Sequence, residues 1–172
     1  MKNLLASLFP VLVASYCFAA PPQSVSVTQT STAILPKRGI TTAAAWNTNT
    51  VYAQGAYVLG GSGSNMIYMA LAGGTSSTNT TDKPVHAHGS ATEGTVTWYR
   101  VEPGPRLGYT FYNSSTNVIW MSAGDTAVIN KGMQIAATSG DDTKGVTSAV
   151  LNLQLNGIVV GDTTNTVMFQ EW

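Results

Sequence analysis

The chain has 172 residues, eight basic and eight acidic side chains and a formal net charge of zero, with many Gly, Ser, Thr and Asn residues. That length holds one domain or two small ones. Neutrality argues against a partner recognised through charge, nucleic acid above all, because phosphate backbones are gripped by a basic face. The sole cysteine, Cys17, lies near the N-terminus. Disulfides, thiol nucleophiles and cysteine-ligated zinc are therefore excluded from the body of the chain.

Residues 1–20 read as a targeting segment: Lys2 gives a positive start, an apolar stretch follows from position 4 to 18, and small residues precede Pro21-Pro22. The alternative is an apolar arm buried in a larger assembly. Residues 21–44 are rich in Ser, Thr, Val and Gln, and alternation is confined to Val25 and Val27. This is the composition of an extended attachment arm or a linker.

Residues 45–103 carry the clearest pattern. Short aromatic and β-branched runs, Val51-Tyr52, Tyr57-Val58, Tyr68-Met69-Ala70 and Val96-Thr97-Trp98, are separated by Gly, Asn, Ser and Pro. The spacing predicts brief antiparallel strands joined by tight turns. Trp46 and Trp98 bound the unit and are expected in its core, being its largest apolar masses.

Trp46, Tyr52, Gly55, Val58, Tyr68 and Ala70 resemble the signature of the small chitin-binding type of carbohydrate-binding module. Gly74, Thr75, Ser76, Pro84, Gly94, Thr95, Val96, Thr97 and Trp98 extend the match to the version of that module found in tailed-bacteriophage virion proteins. One departure separates the two. The chitin-binding version implies a pair of exposed aromatics directly after Tyr-x-Ala, whereas this chain continues Leu71-Ala72-Gly73-Gly74. The resemblance thus implies a retained scaffold without the rings on which a pyranose would stack.

Pro103-Gly104-Pro105 cannot continue a strand and marks a boundary, so residues 104–172 are expected to form a second β module. It opens with Tyr109-Thr110-Phe111-Tyr112, turns at Asn113-Ser114-Ser115 and resumes at Val118-Ile119-Trp120-Met121. Ala149, Leu151, Leu153 and Leu155 alternate with polar residues and Val150, and Asn156-Gly157 predicts a hairpin turn into Ile158-Val159-Val160. A last strand is expected over residues 167–172. Asn113, Ser114, Ser115, Gly132, Ile135 and Ala136 resemble compact β-sandwich modules at the C-termini of phage decoration and fibre proteins, although residues 131–144 depart from their acidic close. The fold class expected is all-β: two small antiparallel modules after an extended N-terminal arm.

Catalytic chemistry is hard to assemble. His86 and His88 would share a face if they lay on a strand, with Asp82 nearby, but no further His or Cys completes a zinc sphere and a polar loop is the favoured reading. Asp141-Asp142 lacks calcium-loop spacing and reads as a solvated turn, and residues 60–64, rich in glycine, read as a hairpin tip. Glu93 and Glu102 sit beside Gly94 and Pro103 and read as turn residues rather than a catalytic pair. No enzyme, cofactor or metal is expected. The candidates for a partner or sugar-facing surface are Tyr57, Tyr68, Trp120 and Trp172.

The resemblances imply a non-enzymatic virion protein, a capsid decoration or head or tail fibre component. It would form a homo-oligomer, with a trimer favoured, and attach to major capsid or tail proteins, with a host surface glycan as a further partner. The competing expectation, suggested by the apolar leader, is a secreted bacterial carbohydrate-binding protein.

Overall fold

The computed structural model describes residues 22–61, 66–106, 108–137, 139–144, 153–160 and 165–171, the side chains of 139–144 excepted. Fifteen strands and no helix lie among them, so the chain is all-β. β1 (Gln23–Val27) and β2 (Thr32–Leu35) come first. A block of seven short strands follows: β3 (Ala44–Ala45), β4 (Val51–Tyr52), β5 (Tyr57–Leu59), β6 (Ile67–Ala72), β7 (Gly74–Thr75), β8 (Ser90–Glu93) and β9 (Val96–Val101). The rest are β10 (Gly108–Asn113), β11 (Ile119–Ala123), β12 (Met133–Ile135), β13 (Ser139–Lys144), β14 (Leu155–Val159) and β15 (Asn165–Glu171).

The first and last groups combine into a sandwich. One sheet runs β1-β15-β10-β13 and the other β12-β11-β14-β2, with every neighbouring pair antiparallel. Alternation of period 2 writes both sheets. β15 buries Asn165, Val167, Phe169 and Glu171 and exposes Thr166 and Met168, while β1 buries Val25 and Val27 between exposed Ser24 and Ser26. Val27, Ile34, Phe111, Ile119, Val159 and Phe169 meet in the core between them.

Two expectations are corrected here. The segment expected as an attachment arm, residues 21–44, supplies an edge strand to each sheet of the sandwich and buries Val25, Val27, Ile34 and Leu35. Its two-residue alternation was too brief to announce a strand, because the partner of β1 is β15, at the other end of the chain. The expected hairpin at Asn156-Gly157 is likewise absent, since both residues lie inside β14, which pairs with β11 and β2. Gly157 serves close packing rather than a turn: a Cβ there would lie 2.4 Å from Ile34 Cδ1 of the neighbouring strand. Residues 145–152, which hold most of the predicted alternation before it, fall outside the described residues.

The block β3–β9 forms the sheet β3-β5-β6-β9-β8 and a small β4-β7 pair, all antiparallel except β3 with β5. It is inserted between β2 and β10 rather than strung in series before an independent sandwich. β6 explains why. Ile67, Tyr68, Met69, Ala70 and Leu71 are all buried, the signature of a strand covered on both faces. Tyr68 and Ala70 pack with Trp46, Val58, Val96 and Trp98, while Ile67, Met69 and Leu71, with Tyr99 and Val101 of β9, join the core of the sandwich. Tyr99 meets Phe169 of β15 edge to face, with ring centroids 5.5 Å apart. The boundary expected at residues 103–105 is a turn in the chain, with Gly104 at φ 85°, but the apolar core passes across it.

Candidate functional site

The two bounding tryptophans are buried, 5% exposed for Trp46 and 0% for Trp98, and both point at one carboxylate. Trp46 Nε1 donates to Glu93 Oε2 at 3.0 Å and Trp98 Nε1 to the same oxygen at 3.1 Å, while the Ser77 amide donates to Oε1. A buried carboxylate needs such donors to offset lost hydration. Glu93 is therefore the centre of a clamp and not the turn residue expected from its position beside Gly94. The turn belongs to Gly94 itself, at φ 60°, where a Cβ would meet Thr75 O at 2.4 Å.

Gly74, Thr75, Ser76 and Thr95 lock the same corner. Thr75 N donates to Thr95 Oγ1 at 2.7 Å and Thr95 N to Thr75 O at 2.9 Å, and a Cβ on Gly74 would strike Thr95 O at 2.4 Å. Ser76 Oγ donates to Asn47 O at 2.7 Å and accepts from Thr50 N at 3.0 Å. These residues hold one another, so their spacing encodes a scaffold.

A second buried carboxylate, Glu171, ties the inserted module to the sandwich. Arg38 Nη2 lies 2.8 Å from Oε1, Tyr99 Oη donates to Oε1 at 2.7 Å, and Arg106 Nε donates to Oε2 at 2.6 Å. Arg106 also donates from Nη2 to Pro36 O at 2.6 Å and from Nη1 to Leu153 O at 3.3 Å. Beside this hub, the Tyr57 hydroxyl accepts from Lys37 N at 2.9 Å and donates to Gln154 Oε1 at 2.8 Å. Burial pushes the Tyr57 phenol up to about 12 and raises that of Tyr99 too, where the facing Glu171 adds to the effect.

No family model, curated protein or solved structure matches this chain. The surface therefore has to be read from its own chemistry. Of the four candidate residues, Tyr68 is 0% exposed and donates to His86 O at 2.8 Å, so it is not a surface residue, because β6 is covered on both faces. Tyr57 is half-buried with its hydroxyl committed inside the molecule. Trp120 is half-buried on β11, directly between Gln134 of β12 and Ile158 of β14. Trp172 lies outside the described residues.

The histidines turn to different neighbours. Residues 84–89 form a loop rather than a strand; His86 stacks edge-on against Tyr68 at 4.8 Å with Nε2 3.1 Å from Gly89 O, and His88 Nδ1 sits 3.0 Å from Glu102. Burial lowers the His86 pKa. Among the described residues no group of three His, Cys, Asp or Glu side chains is placed to hold a metal ion. Asp141 and Asp142 lie in β13, opposite Phe111 and Thr110, and not in the solvated turn expected for them.

Three grooves lie among the described residues. One of about 410 Å³ runs beside the clamp with Asp82, Lys83, His86 and Glu93 in its lining, so its charges are mixed. A second, about 190 Å³, is lined by Arg100 and Glu102 among others. The third, about 180 Å³, lies on the sandwich, and its described lining is the uncharged set Pro22, Thr110, Tyr112, Met168, Phe169 and Gln170. Sequence reasoning missed Tyr112, although its place after Phe111 in an alternating strand was enough to predict outward exposure.

Proposed function

We propose that this chain is a non-enzymatic structural protein of a tailed-phage particle, a capsid decoration or head or tail fibre protein, acting by association with copies of itself and with other virion proteins. The observation that carries the reading is where the aromatic side chains go. Trp46, Trp98, Tyr57 and Tyr99 are used as internal cross-links to Glu93, Gln154 and Glu171, so the module that resembles a carbohydrate-binding unit serves as a scaffold and not as a sugar platform. The same bonds support a role outside catalysis. Glu93 and Glu171 each accept from three donors, so both carboxylates are committed to bonds inside the molecule.

Exposed Val128, Ile129 and Val160, with the half-buried Trp120, offer apolar surface for association, and a subunit of zero net charge has little to repel its copies. The competing reading, a secreted carbohydrate-binding protein, draws its support from the groove at Tyr112. The test is to purify particles from a culture producing the protein and identify their peptides by mass spectrometry, alongside light scattering of the purified chain. Peptides in the particle and a trimer at micromolar concentration are expected. A monomer absent from particles would overturn the reading.

A further inference from the structure

We infer that the outer face of the sandwich sheet β1-β15-β10 carries a binding site for a neutral glycan, centred on Tyr112. Tyr112 and Met168 are directly opposite on adjacent strands and each is 44% exposed. Thr110 and Gln170 form the neighbouring pair on the same face, and Pro22 completes the groove. Adjacent strands lie roughly 4.8 Å apart, so the tyrosine ring and the thioether together present an apolar platform about one sugar ring wide. The groove's volume of about 180 Å³ is likewise on the scale of a monosaccharide and far too small for a folded segment.

The chemistry of the lining selects the occupant. A pyranose offers an apolar C–H face, which an aromatic ring accepts, and a rim of hydroxyls, which an amide such as Gln170 and hydroxyl side chains can pair. The face continues past Met168 onto β1, where Ser24 lies opposite Met168 and Ser26 opposite Thr166, adding exposed hydroxyls along the path a longer chain of sugars would take. The described side chains that line the groove, Pro22, Thr110, Tyr112, Met168, Phe169 and Gln170, carry no charge and offer no cation to hold phosphate, uronate or nucleic acid. A second protein copy is the weaker occupant. A stable protein interface takes about 800 Å² from each partner, and the apolar surface here comes from two half-covered side chains.

This site goes beyond the structural role and belongs to the chain alone, so its loss would leave self-association unchanged. The test uses the full chain labelled with 13C at the methionine methyls, titrated separately with chitohexaose, cellohexaose and maltohexaose to millimolar concentration. The Met168 methyl resonance, assigned with Met168→Leu, is expected to shift with at least one of the three. Tyr112→Ala should weaken that binding by roughly tenfold, whereas Tyr112→Phe, which keeps the ring, should stay within about twofold. No Met168 shift with any of the three sugars would overturn the inference, as would a shift unchanged in Tyr112→Ala. Broadening of Met168 with protein concentration alone, in sugar-free buffer, would assign the face to a second copy and overturn it too.

Discussion

Glu93 and Glu171 are both buried carboxylates with three donors, yet they are built differently. Glu93 is held by two indoles and an amide, all neutral, and every partner lies within the inserted module. Glu171 is held by two guanidinium groups and a phenol drawn from the first strands' connection, the module and the start of the second half. The first fixes the shape of one module. The second fixes how module and sandwich meet, and the two parts share one apolar core.

The most severe way to break this comparison is to cut the module out. A fragment of residues 44–103 would expose Ile67, Met69, Leu71, Tyr99 and Val101. At roughly 1.5–3 kcal/mol for each side chain, that loss rivals the whole stability of a typical domain. The fragment is expected to show collapsed amide dispersion in a 1H–15N NMR spectrum; native-like dispersion would mean the two parts fold independently.

Arg106→Ala comes next. It leaves Glu171 with one ion-pair partner and frees the carbonyls of Pro36 and Leu153. Removing one partner of a buried pair costs about 3–5 kcal/mol, which urea denaturation should register as a lower midpoint. Glu93→Gln should cost less, about 1–3 kcal/mol. An amide keeps one acceptor but turns its NH2 toward the Ser77 amide or the indoles. If the Glu93 variant proved the more damaging, the ordering of the two clusters would be reversed.

The smallest effect is Tyr57→Phe, which removes one hydroxyl between Lys37 N and Gln154 at about 0.5–1.5 kcal/mol. It also carries a pH signature. The folded-state pKa of Tyr57 is raised from 10.0 to about 12, so its contribution is fully present below pH 10 and is lost as pH climbs toward 12. Tyr99, shifted in the same direction, adds to that alkaline loss. Thermal melts between pH 9 and about 12 should fall less steeply for Tyr57→Phe than for the unaltered chain.

What could be read in the chain was local. Composition and short aromatic and β-branched runs pointed to the all-β class, and β10, β11 and β15 overlap the strands expected over 109–112, 118–121 and 167–172. The bulk of Trp46 and Trp98 was enough to place them in the core. Misreadings followed one rule. Asn156-Gly157 has the dihedral preferences of a turn, but its partners β2 and β11 hold it straight. Glu93 looked like a turn acid because Gly94 follows it, and nothing near it in sequence announces that Trp46 will reach its carboxylate. Val25 and Val27 were too few to reveal a strand completed by residues 165–169.

By itself, then, the sequence determined the type of element, the bulk of the tryptophans that fill its middle third, and a formal net charge of zero. Only the tertiary structure decided that the apparent arm is two core strands, that the module is inserted rather than appended, and that Tyr112 and Met168 stand side by side on an exposed face. The reason is separation along the chain. Period and turn chemistry act over a few residues, whereas a Glu171 hub or a Tyr112 groove exists only after strands distant in sequence have been brought together at the spacing of a sheet.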